Sequence, residues 1–371
     1  MGVSVENKVT LRKIYIEIGR MCTLSCKHCC KGKSENLSID YKYIDALLDN
    51  VYFIDEIIFT GGEPMLYLNE MENIVNMVTD RVKLNYITIL TNGTIKSEKF
   101  VELWNRIIEK TTFPDKAELH FSIDKYHEFN NSENIKWYED RIKKGIIIKY
   151  DFETGREDHM VVYDGNASKW KLSEYEHFEV VQDYVDEITK AKKKGIEAFC
   201  TGEDNKCGYC DVKNCVYDFL YLSADGYIYD NSFYSYQKQR KANHKLALGK
   251  ITDKDIYSMV TEWNNLCEKS ETTKKMWMKI EDMKAFRIVN CMDSLSLIYK
   301  YKEDKNTELL LEEYDNLCEL FSLIENEIEE YSEKKYMNGI KVIRELKGDI
   351  EKYVCIVRTP IFQLFSSLVR K

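Results

Sequence analysis

Proline is almost missing from this chain of 371 residues, which has only 3. With hydrophobic residues at 44% and charged residues at 32%, that scarcity excludes a proline-rich disordered chain and points to packed domains, two or three at this length. No stretch reaches the roughly 18 uninterrupted apolar residues of a membrane span. The N-terminus MGVSVENKVTLRK has no apolar run behind its charges, so a secretory signal is not expected. The reading is therefore cytoplasmic, with no membrane partner. Positive charge is also short. A net charge of −9 argues against a broad nucleic-acid surface, so no nucleic-acid partner is expected.

Cysteine, by contrast, is plentiful, with 12 in the chain. Thiols in a long cytosolic chain stay reduced, and clustered ones there bind metal more often than they pair. Cys22, Cys26, Cys29 and Cys30 form one group; Cys200, Cys207, Cys210 and Cys215 form a second. Cys267, Cys291, Cys318 and Cys355 are scattered through helix-like sequence and read as small buried hydrophobes.

The first half alternates strand and helix signals. KIYIEIG (13–19), EIIFTGG (56–62), LNYITILTNG (84–93), AELHFSID (117–124) and GIIIKYD (145–151) are short β-branched and aromatic runs, and HMVVYD (159–164) supplies a sixth. Between them lie the amphipathic segments 38–50, 66–80, 97–110 and 132–145, three of which start at Ser38, Ser97 and Ser132, residues able to cap a helix. This alternation predicts a parallel α/β sheet, either open or a full or partial barrel, with reactive groups at the C-terminal ends of the strands.

That rule places the first cysteine group. It follows the first strand on a loop of about 18 residues, far longer than the usual 2–6 of a βα connection. Three cysteines spaced C-x3-C-x2-C can hold three irons of a four-iron cluster and leave the fourth open. Structural zinc with His28 or Cys30 as a fourth ligand is the competing reading, although a tetrahedral site is usually built from two separated ligand pairs. Further on, Gly61 and Gly62 permit close backbone approach to a ligand, and Glu63 offers a carboxylate to an ammonium group. Ser122 and Asp124 are turn or cap residues, or ligand contacts. His127 is a substrate-facing or a surface histidine.

CTLSCKHC (22–29) resembles the cluster motif of the radical S-adenosylmethionine (radical SAM) superfamily. The resemblance implies that Cys22, Cys26 and Cys29 hold a 4Fe–4S cluster whose open iron takes the amino and carboxylate groups of S-adenosylmethionine. GGEP (61–64) stands where the family binds the cofactor's amino group, which implies roles for Gly61, Gly62, Glu63 and Pro64. TNG (91–93), with Asn92, and SID (122–124), with Ser122 and Asp124, stand where family members place polar groups on the ribose and carboxylate. YDGNA (163–167) resembles the GRA segment, with Asn166 where Arg is common. His28 replaces the usual aromatic residue that packs near the adenine. The match covers about residues 11–168. It implies a partial (β/α)6 TIM-like barrel, reductive cleavage of S-adenosylmethionine to a 5′-deoxyadenosyl radical, hydrogen abstraction from a substrate, and an electron donor such as flavodoxin or ferredoxin.

The second group reads C-x6-C-x2-C-x4-C from Cys200 to Cys215, interspersed with Gly, Asp and Asn, a metal-binding knot more than a core. YDFLYLSADGYIYDN (217–231) follows as a hairpin with an ADG turn, then LGKI (248–251). This segment resembles the SPASM and twitch extensions of radical SAM enzymes, with Asn231 near the position of a usual cysteine and without the full set of seven cysteines. One auxiliary iron–sulfur cluster on Cys200, Cys207, Cys210 and Cys215, or alternatively zinc, is expected there. From about residue 253 the pattern is helical, a cap on the barrel or a partner-binding module; PIFQLFSSLV (360–369) is a candidate docking helix.

The expected domains are thus a radical SAM partial barrel (1–168), a twitch-like metal-binding segment (169–252) and a helical region (253–371). Peptide or protein modification is the favoured activity because such extensions are frequent in peptide-modifying relatives, although no winged peptide-recognition domain precedes the first strand. A small-molecule substrate such as a sugar, nucleotide or metabolite is the rival within the family. A non-catalytic iron–sulfur or zinc module is the rival outside it.

Overall fold

The computed structural model describes residues 8–123, 127, 129, 131–150, 164–169, 216–232, 234–241, 243–268, 294, 297, 298, 300, 301, 304, 306–331, 341, 343–348 and 351. The expected alternation is present. In chain order come β1 (Val9–Gly19), α1 (Tyr41–Asn50), β2 (Val51–Gly61), α2 (Leu68–Arg81), β3 (Lys83–Thr91), α3 (Glu98–Ile108), β4 (Glu118–Ser122), α4 (Ser132–Arg141) and β5 (Ile146–Tyr150). Of the three serines expected as caps, only Ser97 serves, its hydroxyl accepting from Phe100 N–H at 3.2 Å. Asp40 caps α1 through Lys42 N–H, while Ser38 bridges back to Gly19. Asn131 precedes α4 without a side-chain cap. Short polar side chains compete for these ends, and the one whose backbone is already extended at the boundary takes the role.

Pairing of β1 through β5 is parallel throughout. Strand alternation sorts each into two faces. Ile14, Ile57 and Ile87 stand side by side, as do Ile16, Phe59, Ile89 and Leu119, all fully buried. Helix α1 packs against β2, and α2 against β3. On α3, Phe100, Leu103, Trp104, Ile107 and Ile108 form one buried stripe, each side chain contributing about 1.5–3 kcal/mol on full burial. The other face is mixed: Leu11, Ile54 and Leu84 align and are buried, with polar positions next to them. Lys13, Glu56 and Tyr86 align across three strands, as do Thr88 and Glu118, and Glu56 accepts from Thr88 Oγ1 at 2.6 Å and from Tyr86 at 3.2 Å.

The expected hairpin forms as β6 (Val216–Leu222) and β7 (Tyr227–Tyr229), followed by α5 (Tyr236–Arg240), β8 (Gly249–Lys250), α6 (Ile256–Glu268) and α7 (Thr307–Tyr331). It is not a separate layer. β6 pairs parallel with the free edge of β1, giving one open eight-stranded sheet in the order β5-β4-β3-β2-β1-β6-β7-β8. A buried polar network fastens this junction. Arg20, 1% exposed, donates to Glu17 at 2.5 Å, to Gln239 Oε1 at 2.6 Å and to Glu35 at 3.2 Å, and lies 3.3 Å from Asp225. Glu17 also accepts from Tyr221 Oη, Gln239 Nε2 and Ala224 N–H. The polar atoms of Glu17 and Arg20 are thereby paired, as buried charges require.

The chain forms two compact units, Met1–Ser168 with Lys194–Asn265, and Lys169–Lys193 with Leu266–Lys371. In the second, α7 buries Leu310, Tyr314, Leu317, Phe321 and Ile324 along one stripe, and Ser294 Oγ donates to Glu313 at 2.6 Å. Most of the expected sixth strand (159–164), the second cysteine group and the 360–369 segment lie outside the described residues. No helix among the described residues is long and apolar enough to cross a membrane.

Candidate functional site

Parallel pairing brings the ends of β1 to β4 to one edge of the sheet, and the cysteine loop starts there. Arg20 N–H donates to Leu37 O at 2.8 Å and Glu35 N–H to Arg20 O at 3.1 Å, closing the loop at its base. Cys26 is buried, whereas Cys22, Cys29 and Cys30 are half-buried. Burial, with the negative Glu63 and Cys29 nearby, pushes the Cys22 thiol above its ordinary value. Burial and the adjacent Cys29 push the Cys30 thiol up to about 12.

Three segments flagged in the sequence bond directly to this loop. In the GGEP segment, Gly62 N–H donates to Gly19 O and Glu63 N–H to Met21 O, both at 2.8 Å. Gly61 has φ +131°, and a Cβ there would lie 2.1 Å from Gly19 O. The close approach these glycines permit is thus to the loop's own backbone. Glu63, fully buried, has Oε1 accepting from Met65 N–H at 3.0 Å and Thr91 Oγ1 at 2.7 Å, and Oε2 accepting from Asn92 N–H at 2.9 Å. Burial raises its pKa even so, with these donors opposing. Pro64 opens a single 3-10 turn behind it.

The TNG segment reaches the loop by side chains. Asn92 Nδ2 donates to Thr23 Oγ1 at 3.1 Å and to Cys22 Sγ at 3.6 Å, while the Thr23 and Thr94 hydroxyls lie 2.6 Å apart. The third segment holds the far end. Asn166 donates from its backbone to Cys29 O at 2.9 Å and from Nδ2 to Cys26 O at 3.0 Å. Gly165 lies against Cys29 and Cys30.

Ser122 is drawn in through a residue that sequence reasoning missed: Asn131 Nδ2 donates to Ser122 O at 2.9 Å and to Asn92 O at 2.8 Å. An Asn before a helix reads as a cap, and only the fold turns this one toward two strand ends. Tyr67 was missed as well; its hydroxyl accepts from Met21 N–H at 2.8 Å. His28 is half-buried, and its ring meets that of His127 edge-on with centroids 4.6 Å apart. Asp124, Cys200, Cys207, Cys210 and Cys215 lie outside the described residues.

The donors on the loop are thiols, the ligand type that iron–sulfur clusters take. Three thiols share one closed loop, and an amide N–H aims at the Cys22 sulfur, as outer groups commonly do for a ligating thiolate. The sulfurs do not converge on one point: among the described residues no three Cys, His, Asp or Glu side chains are grouped to hold a metal ion.

The family model described as the radical SAM superfamily matches residues 16–162, from the middle of β1 past β5. An uncharacterized protein of Methanocaldococcus jannaschii is 31% identical over 98 residues, 25% of this chain and 34% of its own length. The chain thus spans about a third of that relative. Among solved structures, BtrN in complex with AdoMet and 2-DOIA is 15% identical with a TM-score of 0.40, covering 71% of this chain and 89% of its own. The structure of anSMEcpe with bound AdoMet and Cp18Cys peptide gives 16% and 0.39, covering 71% and 84%. Streptococcus suis SuiB bound to precursor peptide SuiA gives 16% and 0.32, covering 71% and 65%. Likeness at those TM-scores carries no argument about this site. The family match bears on it, because the segment it covers contains the cysteine loop and the strand ends bonded to it: residues 16–162 match the radical SAM superfamily model.

Proposed function

We propose that the chain is a radical SAM enzyme in which Cys22, Cys26 and Cys29 hold a 4Fe–4S cluster, with S-adenosylmethionine beside Gly61–Pro64, Asn92, Ser122, Asp124 and His28. When bound, the pair supplies one-electron cleavage of the sulfonium to methionine and a 5′-deoxyadenosyl radical, which removes a hydrogen atom from an unactivated C–H bond. The observation that carries this reading is the family match over residues 16–162.

The chain's own residues support it by holding the loop. Asn92 orients Cys22, and Asn166 fixes the carbonyls of Cys26 and Cys29. Glu63 Oε2 takes one protein donor and keeps acceptor capacity for an ammonium group. The Gly62 and Glu63 N–H groups are already engaged with the loop, so cofactor contacts at these two residues fall to side-chain and carbonyl oxygens.

The substrate in this proposal is a peptide or protein. Its support is the cysteine pattern from Cys200 to Cys215 before the β6–β7 hairpin, which resembles extensions frequent in peptide-modifying members. A cluster on Cys200, Cys207, Cys210 and Cys215, an electron donor of the flavodoxin or ferredoxin kind, and the division into residues 1–168, 169–252 and 253–371 belong to the same proposal.

The test is anaerobic reconstitution with counts of iron, sulfide and zinc, then dithionite and S-adenosylmethionine, with Cys26→Ala and Cys210→Ala alongside. The proposal expects 5′-deoxyadenosine from the wild type and none from Cys26→Ala. Iron lost in Cys210→Ala supports the auxiliary cluster, and zinc lost overturns it. Reconstituted protein that binds no S-adenosylmethionine refutes the enzyme reading.

A further inference from the structure

Glu63, Asn92 and Asn166 hold the cysteine loop between Met21 and Cys29. From Lys31 onward the bonds come from elsewhere. Lys31 is a cation only 8% exposed, where an unpaired ammonium would be costly. It is paired: Nζ donates to Tyr221 Oη at 2.7 Å and to Tyr234 O at 3.4 Å, and lies 4.2 Å from the centre of the Tyr221 ring. Tyr221 Oη in turn donates to Glu17. One hydroxyl thus joins the ammonium to a buried carboxylate.

The backbone of Lys31 is held from the same side. Tyr236 N–H, at the start of α5, donates to Lys31 O at 3.1 Å. Further along the loop, Glu35 accepts from both Arg240 nitrogens, at 2.7 and 2.8 Å. Between these two anchors Ser34 leads back to the first cysteine. Its Oγ accepts from Cys22 N–H at 3.1 Å and donates to Arg20 O at 3.2 Å. A shift of residues 31–35 therefore pulls on the Cys22 backbone as well.

We infer that Lys31 is a positioning residue through which β6 and α5 fix the second half of the cysteine loop and, by way of Ser34, the backbone of Cys22. Both elements follow the second cysteine group and lie outside the segment the family model matches. The inference deepens the radical SAM reading and rests on it for what the loop does, while the tie itself belongs to this chain's own residues. The hairpin and α5 are then part of the cysteine site, not a detachable module beside it.

The experiment follows amide hydrogen exchange by mass spectrometry in full-length wild type, Lys31→Met and Lys13→Met, each after anaerobic reconstitution and again free of iron. Iodoacetamide labelling of Cys22 in the iron-free chain is read alongside. Lys31→Met keeps an apolar stem and removes the donor. It is expected to exchange the amides of residues 22–37 and of Tyr236 about tenfold faster than wild type, with the β3 amides unmoved. Cys22 labelling is expected to speed up by a similar factor. Lys13→Met, which removes a different ion pair, that with Glu56 at 3.4 Å, is expected to match wild type over residues 22–37. Unchanged exchange there in Lys31→Met overturns the inference, as does an equal acceleration of the β3 amides, which marks general destabilisation. Unchanged labelling overturns the reach to Cys22. Should Lys31→Met not fold, wild type in low urea decides: one shared opening of residues 22–37 and Tyr236 supports the tie, and separate openings overturn it. A wild type that takes up no iron overturns the radical SAM reading, while exchange in the iron-free chain still decides the tie.

Discussion

Substituting Gly165 by alanine adds one methyl group at the point where the post-β5 segment meets the cysteine loop. A Cβ there would lie 2.3 Å from Cys30 O, 2.6 Å from Gly32 N and 2.7 Å from Cys29 O, all backbone atoms that cannot rotate away. Restoring ordinary contact requires the two strands of chain to separate by about 1 Å. The residue also has φ +55°, which costs a non-glycine residue roughly 1–2 kcal/mol. A shift of that size threatens the Asn166 hydrogen bonds to Cys29 O and Cys26 O, each contributing about 1 kcal/mol. The sum is roughly 3–4 kcal/mol, enough to release the loop although no thiol has been touched. Iron per chain after reconstitution and the midpoint of urea unfolding are the readouts. Gly165→Ala is expected to lose most of its iron and unfold at lower urea. Gly348→Ala, with nothing within 4 Å of the added carbon, is the control and is expected to do neither. Full iron and an unchanged midpoint in Gly165→Ala would refute the reasoning, because they would show that the two segments are not in contact.

The junction between β1 and β6 can be tested through its ions. Arg20→Met removes the cation from a fully buried carboxylate, Glu17, and is expected to cost about 3–5 kcal/mol by urea denaturation. The double variant Glu17→Gln, Arg20→Met should lose clearly less than the sum of the two single variants, and strict additivity would show that the pair does not interact. Nearer the surface, burial raises the Glu35 carboxyl, but hydrogen bonds from Arg240 and Arg20 outweigh it and hold the group below its usual 4.5. A depressed carboxylate pKa stabilises the fold above pH 4.5, and the contribution is lost as pH falls through the folded value. Glu35→Gln is therefore expected to be less stable by roughly 0.5–1 kcal/mol at pH 7, given the partial exposure of the pair. The gap should close in acid, and one that stays constant down to pH 3 would contradict the assignment.

The strands and helices of the first half were readable because the strands are β-branched and aromatic runs and the helices amphipathic: β1 and β2 start earlier than expected, at Val9 and Val51, while β3 stops at Thr91, two residues short of the expected end. Helix ends were less readable. Ser38, Asp40 and Ser97 are all chemically able to cap, and the choice depends on which backbone is extended at the boundary. At the candidate site, Cys22, Gly61, Gly62, Asn92 and Asn166 were visible from spacing and order. What Glu63 does was not, since its donors Thr91 and Asn92 come from the next strand. Asn131 and Tyr67 carried no signal distinguishing them from routine turn and core residues.

By itself the sequence determined the α/β alternation, the place of the cysteine loop after the first strand, and the hairpin with its Ala-Asp-Gly turn. These follow from local periodicity and from residue spacing along one segment. Only the tertiary structure decided that β6 closes onto β1, with Thr10 opposite Val216, and that Glu17 and Arg20 meet Tyr221 and Gln239 across more than 200 residues of chain. It also decided that Tyr236 N–H donates to Lys31 O, tying α5 to the cysteine loop. Pairing at that separation depends on which edge is free and which buried charges find partners, and neither is written into a local pattern.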